Sequence, residues 1–400
     1  MNKNLLFLYI SKLISSLGDQ IYVIALSVTL YKVTNSALIT TGVITIKALV
    51  HFLGIFIYKA GNMKFQKSIA VIGDIVRCVL IVLLIPLIQI HFLFAYVIIF
   101  LLEVVQIYCA SSRIILLNAV TDPKKKNNSN IIDQIIQTVA IGIGLALGGV
   151  VTYELNYKAA LLVNAASFII SALLISFVKI QIKNNINKEK IKNIGLFQWF
   201  KAQDSGIKKD LITIFPFYSF SAVAFSSLLV VFVMEYLAKD ERYYGYISGI
   251  MALGLFFGGL ISLKVKTSLY YRSLSLSILV MGLCYVIATQ TKSFIIISLF
   301  LFISSVANMI YASIHRTSLA ELYKNVDIGN AWTFYRALSV ILGAIGTIVF
   351  SLISDSFGII YAMNLSGITL IVFGVFLVYK IFRHYEINQT QDFVKNNIDL

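Results

Sequence analysis

The sequence is poor in charge, proline and cysteine, and each shortage excludes a class of protein. Charged residues make up 13% of the 400 residues and hydrophobic residues 59%. A soluble domain has about 25% charged residues and about 45–50% apolar ones. A soluble core cannot enclose this much apolar surface. The composition therefore indicates an integral membrane protein.

The 3 prolines leave long apolar runs unbroken. A run such as CVLIVLLIPLI does not alternate in hydrophobicity, so it predicts helices and excludes the strands of a membrane barrel. The 3 cysteines lie within apolar runs and show no metal-ligand spacing. The Gly-x-x-x-x-Gly-Lys-Ser/Thr loop that binds nucleotide phosphates is also missing. We therefore expect no metal, no other cofactor and no ATPase domain in this chain.

Twelve segments are apolar enough to cross a bilayer, which requires about 20 residues per helix. They are residues 5–31, 36–58, 67–88, 92–120, 128–152, 157–179, 209–237, 243–263, 270–288, 293–321, 328–352 and 357–381. An even number of spans places both termini on one side. Of the 33 lysines and arginines, 22 lie on that side and 5 on the other. The positive-inside rule therefore predicts that both termini are cytoplasmic.

The two halves of the chain share an internal repeat. IYCASSRIILL and IYASIHRTSLA both contain Ile-Tyr and, five residues after the tyrosine, an arginine, Arg113 or Arg316. The same offset relates Asp133 to Arg336. Matches in this order indicate a duplicated six-helix unit, with the substrate path between the halves near the middle of the membrane. The predicted domains are a first bundle at 1–179, a basic cytoplasmic linker at 180–208, a second bundle at 209–382 and a cytoplasmic tail at 383–400.

Several stretches resemble one protein family. LISSLGDQIYVIAL followed by TNSALITTGV is similar to the first two helices of the major facilitator superfamily, in its macrolide-efflux and siderophore-exporter branch. GDIVRCVLI resembles the start of its third helix, and LLVNAASFIISALL resembles its sixth. The resemblance implies an all-helical membrane fold, with twelve transmembrane helices in two pseudo-symmetric bundles. It also implies a secondary exporter that works by proton antiport and is not an enzyme.

Two positions depart from the family pattern. Asn62 stands where the loop between helices two and three usually has an aspartate that takes part in a cytoplasmic latch. Leu145 replaces the proline of a Gly-Pro-x-x-Gly-Gly motif that antiporters tend to have in helix five. The small residues beside Leu145 still permit close packing of helices.

Four ionisable residues lie near the middle of predicted spans, where a charge costs at least ~2.5–3.5 kcal/mol and marks a cavity or a path. They are Asp19, Lys47 and Glu103, together with His51, which lies one turn beyond Lys47 toward the cytoplasm on the same face. We interpret them as proton- and substrate-binding residues, with Asp19 taking up a proton outside and releasing it inside. The alternatives are a permanent Asp19–Lys47 ion pair that fixes helix packing, and a hydrogen-bonded core histidine at His51.

A second set of charges lies toward the cytoplasmic ends of the predicted spans. Similar clusters in the family act as a gate, because ion pairs that break and re-form give two stable arrangements. Asp74 and Arg77 are close enough along one helix to pair. The alternative is a set of static ties between helices. The predicted gate residues are Asp74, Arg77, Arg113, Asp133, Arg316, Glu321 and Arg336.

The predicted function is proton-driven export of a small amphipathic or zwitterionic compound. An antibiotic or drug would suit Asp19 and Glu103, whereas a metal chelator would suit Lys47 and His51, so a dedicated siderophore or metallophore exporter is the alternative. A non-transporting sensor or scaffold is the alternative of another class. An enzyme is disfavoured because the 4 histidines lie in distant segments. We expect a monomer in the cell membrane, with protons, lipid and a small molecule as partners and no nucleic acid.

Overall fold

The computed structural model describes residues 3–57, 65–122, 125–179, 196–203, 206–323 and 326–398. Asn62 and most of the predicted linker lie outside the described residues. The described part of the chain is helical and contains no strand. Its helices are α1 (Lys3–Thr34), α2 (Ala37–Ile57), α3 (Gln66–Ile90), α4 (Leu93–Val120), α5 (Lys126–Ser176), α6 (Leu196–Lys201), α7 (Ile207–Thr213), α8 (Tyr218–Val231), α9 (Glu241–Ser262), α10 (Tyr270–Thr289), α11 (Phe294–Leu322), α12 (Val326–Phe357) and α13 (Ile359–Ile398).

Among the described residues, 11 helical segments are long and apolar enough to span a membrane. The segment in α5 has 42 residues, about twice the length that one crossing needs. It turns at Asn156, where φ is 72°, a conformation that asparagine tolerates better than most residues. The Asn156 side-chain oxygen accepts hydrogen bonds from the backbone N–H groups of Lys158 and Ala159, which caps a new helix. With α5 counted as two arms, the twelve predicted transmembrane helices are confirmed.

The two arms of α5, residues 126–155 and 157–176, form a hairpin beside α1. A Cβ added at Gly18 would lie 2.6 Å from Oδ1 of Asn164 in the second arm. A Cβ added at Gly144 in the first arm would lie 2.7 Å from Cβ of Gln20. Because one level of α1 touches both arms, the arms run in opposite directions. The absence of a side chain at Gly18 and Gly144 permits this close approach of the helices.

Each half of the chain ties the start of its first span to the end of its last span. In the first half, Asn4 Nδ2 donates to the carbonyl oxygen of Lys179 at 2.9 Å. In the second half, Lys380 Nζ contacts Asp210 Oδ1 at 2.8 Å. The repeated tie agrees with a duplicated bundle, although the residue types differ between the two copies.

The chain forms two compact units. The first contains Met1–Lys192 and Leu229–Gly249, and the second contains Asn193–Leu228 and Ile250–Leu400. Residues 229–249, which the predicted domain plan assigns to the second bundle, therefore pack with the first unit. Many large apolar side chains are exposed, as expected for a surface that lies against lipid; examples are Val79, Leu83, Leu173, Phe257 and Leu283.

Candidate functional site

Asp19 and Arg77 form the centre of a buried charge network in the first unit. Arg77 Nη2 on α3 donates to both carboxylate oxygens of Asp19 on α1, at 2.7 and 2.9 Å. The guanidinium carbon of Arg77 also lies 3.9 Å from the ring centroid of Phe168. The paired hydrogen bonds and the aromatic face compensate part of the hydration that the buried guanidinium has lost, and its Nε and Nη1 atoms have no hydrogen-bond partner among the described residues.

Asp74 extends this network to α4 and to the second arm of α5. Arg113 Nη2 donates to its two carboxylate oxygens at 2.7 and 2.5 Å, and to Ser171 Oγ at 3.0 Å. Arg77 Nη1 lies 3.6 Å from Asp74 Oδ1. The Asp74 side chain is fully buried. Two carboxylates and two guanidinium groups therefore alternate across the interior of the unit, with no net charge.

The structure joins residues that the sequence assigns to separate sets. Asp19 belongs to the predicted proton and substrate set, and Arg77 to the predicted gate. Their different positions along two helices do not prevent contact, because the long arginine side chain bridges the difference in depth. The Asp19–Lys47 pair considered as an alternative is wrong, since Asp19 binds Arg77 and Lys47 binds Glu103.

Glu103 is the centre of a second cluster, between α2 and α4. Lys47 Nζ lies 2.8 Å from Glu103 Oε1, and His51 Nε2 lies 3.0 Å from Oε2. Lys47 Nζ is also 5.5 Å from the ring centroid of Tyr22. The Glu103 side chain is 6% exposed, whereas Lys47 is 25% and His51 40% exposed. The carboxylate is enclosed, and the two bases form the open side of the cluster.

The predicted gate residue Asp133 binds a residue to which the sequence assigned no role. Lys12 Nζ forms an ion pair with Asp133 Oδ2, which links α1 to the first arm of α5. Both side chains are mostly buried. The signal that could have identified Lys12 is its position early in a span that already carries an acidic residue.

The other predicted gate residues, Arg316, Glu321 and Arg336, lie in the second unit and are exposed. The guanidinium carbon of Arg316 is 5.6 Å from the ring centroid of Trp332. Its counterpart in the repeat, Arg113, binds a buried aspartate instead. The duplicated arginines therefore have different partners, because the second half has no aspartate at the position that matches Asp74 in the repeat.

A third set of polar contacts joins the end of α1 to residues 229–249. Lys32 forms an ion pair with the buried Glu241, and the Tyr31 hydroxyl donates to Glu235 Oε2 at 2.9 Å. Nearby, Arg242 Nη2 donates to Asp240 Oδ2 at 2.9 Å. This hydrogen bond is the main reason that the pKa of Asp240 lies below its usual value. Sequence reasoning missed this set, because charges at the ends of spans are common in all membrane proteins.

The first arm of α5 also packs closely on the start of α9. A Cβ added at Gly149 would lie 2.7 Å from the Cα of Gly245, and one added at Gly245 would lie 2.8 Å from the carbonyl oxygen of Ala146. Gly149 belongs to the stretch where Leu145 replaces the family proline. Close packing of the two backbones therefore persists without that proline.

The family model for the Major Facilitator Superfamily matches residues 8–323. The chain belongs to the Major Facilitator Superfamily. It is therefore a multi-pass membrane transporter and not an enzyme, as predicted. A search of curated proteins gives no match.

Solved structures share the superfamily fold along nearly the whole chain. The nucleoside transporter NupG has a TM-score of 0.74 at 14% identity and covers 96% of this chain and 99% of its own. A bacterial homologue of the human lysosomal transporter Spinster, solved in an inward-facing and unoccupied conformation, has a TM-score of 0.71 at 16% identity, with 98% of each chain covered. At these identities the likeness establishes the fold alone.

Proposed function

We propose that this superfamily member is a proton-coupled exporter of a small amphipathic or zwitterionic compound. One observation carries the proposal: Asp19 and Asp74 share Arg77 inside the membrane-spanning part of the first unit. A buried ionisable residue in a transporter is expected to act in a proton or substrate path. Resemblance to the macrolide-efflux and siderophore-exporter branch supports export, although Leu145 departs from the antiporter motif.

Protonation of Asp19 would release Arg77 toward Asp74. A neutral Asp19 no longer balances the guanidinium, and the network then has one excess positive charge in an apolar surrounding. Arg77 relieves this by closing the 3.6 Å separation from Asp74, which in turn competes with Arg113. Proton uptake therefore selects between two arrangements of ion pairs that cross α1, α3 and α4, which is the kind of element that a conformational change needs.

Protons enter from the outside and the substrate leaves the cytoplasm in this proposal. In this proposal the chain lies in the cell membrane, and the concentration of lysine and arginine on the side of the termini supports cytoplasmic termini. The remaining gate residues belong to the same proposal: Asp133, paired with Lys12, and the exposed Arg316, Glu321 and Arg336. A dedicated siderophore or metallophore exporter is the second candidate, and the basic pair Lys47 and His51 favours it.

Transport into proteoliposomes tests the proposal. With an acidic lumen, wild-type protein should accumulate at least one of radiolabelled erythromycin, desferrioxamine B and octanesulfonate, and Asp19→Asn should reduce this flux by at least about tenfold. Asp355→Asn, at an exposed acidic residue of α12, is the matched control and should transport normally. Exchange of labelled for unlabelled substrate without a gradient should persist in Asp19→Asn. Normal gradient-driven flux in that variant would remove Asp19 from the mechanism, and binding without flux in wild type would favour a sensor.

A further inference from the structure

The Glu103 cluster presents its two basic side chains, and not its carboxylate, to the outside of the helix pair. Each carboxylate oxygen of Glu103 is occupied by one base, Lys47 or His51. A lysine ammonium has three N–H donors, and Glu103 takes one of them. An incoming cation would therefore meet the Lys47 ammonium before it reached Glu103. An incoming anion would meet an attractive donor that is already held in position.

An apolar groove begins one helical turn from these bases. Val50, Leu53 and Gly54 of α2 and four residues of α4 line it. The residues from α4 are Phe100, Val104, Ile107 and Tyr108. Its volume is about 70 Å³, well below the roughly 300–1,000 Å³ of a pocket that encloses a whole drug-sized ligand. The groove can therefore hold an alkyl segment or the edge of a ring.

Charge and shape together define the occupant. Lys47 is three residues before Val50, and Glu103 is four residues before Ile107, spacings that place both pairs on one face of their helices, so the basic groups and the groove are neighbours on both helices. A molecule that fits needs an anionic head and an apolar body separated by about one helical turn, or about 5.4 Å. A polar body would lose its hydration in the groove without gaining hydrogen bonds.

We propose that Lys47 and this groove form a binding site for an amphipathic organic anion, and that this anion is the transported substrate. The proposal rests on the proposed transport function and narrows its substrate class. Lys47 binds the head group, and the α2–α4 groove binds the apolar body. Glu103 is a positioning residue, because it holds the ammonium between the carboxylate and the face of Tyr22 and touches no ligand.

Three probes with one apolar body and different heads test the charge preference. Octanesulfonate, octylammonium and 1-octanol are titrated into the protein in phosphatidylcholine nanodiscs, with empty nanodiscs subtracted, and binding is measured by calorimetry. Octanesulfonate should bind at least about tenfold more tightly than octylammonium. Equal binding of the three probes, or preference for octylammonium, would overturn the proposal.

Matched variants locate the site. Lys47→Gln should weaken octanesulfonate binding by at least about tenfold, and Lys47→Arg should restore it. Leu53→Trp should fill the groove and weaken binding of all three probes. Leu49→Trp, at an equally exposed leucine of α2 outside the groove lining, should leave binding unchanged. Wild-type affinity in Lys47→Gln or in Leu53→Trp would place the anion elsewhere.

The design separates this inference from the proposed proton coupling. Binding is measured without a gradient, so octanesulfonate affinity does not depend on proton-driven flux. If the protein transports erythromycin along a proton gradient but does not bind octanesulfonate, the inference is refuted and the proposed function stands. Displacement of octanesulfonate by phosphatidylglycerol in the nanodisc, together with unimpaired transport by Lys47→Gln, would show a lipid site and would also refute it.

Discussion

Buried ion pairs determine which residues of this transporter are most sensitive to substitution. Asp74 is fully buried and contacts two arginines. Removal of one partner from a buried pair costs about 3–5 kcal/mol, because the remaining charge stays in an apolar surrounding. An ion pair at an exposed surface contributes at most about 1 kcal/mol, because water screens both charges.

We predict that Asp74→Asn and Arg113→Gln are not additive. Asp74→Asn leaves Arg113 without its carboxylate, and Arg113→Gln leaves Asp74 with only the longer contact to Arg77, whereas the double variant removes both charges. The coupling should be at least about 1 kcal/mol in the free energy of unfolding. Thermal unfolding of purified single and double variants measures it.

The control pair is Arg242→Gln with Glu154→Gln. Their charged atoms are 3.8 Å apart and both side chains are partly exposed, so a coupling below about 0.5 kcal/mol is expected. Additive losses for Asp74 and Arg113 would contradict the network described for the first unit.

At the scale of whole helices, glycines set how closely α5 approaches its neighbours. Gly149 meets backbone atoms of Gly245, which cannot move aside as a flexible side chain can. Gly259 in α9 has only the Met309 side chain nearby, at 3.7 Å. The two positions therefore differ in whether the neighbouring atoms can yield to a methyl group.

The same change, glycine to alanine, should have opposite effects at these positions. Gly149→Ala should destabilise the protein by about 1–3 kcal/mol, because the methyl group overlaps a backbone. Gly259→Ala should stabilise it by up to about 1 kcal/mol, because alanine loses less conformational entropy in a helix. Apparent melting temperatures measure both effects. A stabilising Gly149→Ala would show that α5 and α9 do not touch as closely as described.

At the scale of the whole molecule, charge bias predicts how the chain lies in the membrane. Cysteine replacement provides a matched pair of exposed lysines, Lys158 at the start of the second arm of α5 and Lys266 between α9 and α10. A membrane-impermeant maleimide should label Lys158→Cys on intact cells, and Lys266→Cys only after permeabilisation. Wild-type protein gives the background from its own cysteines, two of which are buried. Labelling of Lys266→Cys on intact cells would reverse the proposed orientation.

The sequence predicted the positions of the helices better than it predicted the ion-pair partners of the buried charges. The predicted span at 92–120 corresponds to α4, and the predicted break before residue 157 corresponds to the turn at Asn156. The long apolar runs allowed these helices to be predicted, because each segment must be apolar wherever it contacts lipid, whatever its neighbours are. The partners of Asp19 and Lys47 could not be identified from the sequence, since several acids and bases lie at compatible depths in neighbouring spans.

Composition and charge bias by themselves determined that this chain is a helical membrane protein, and the repeat and motifs indicated its superfamily. These properties can be read locally, because hydrophobicity and loop charge act on each segment separately. Only the tertiary structure decided that Arg77 binds Asp19 across a separation of 58 residues, and that Glu103 takes both Lys47 and His51. The physical reason is that ion pairing depends on the rotation of each helix about its axis and on the reach of its side chains. Those quantities are set when the helices pack together.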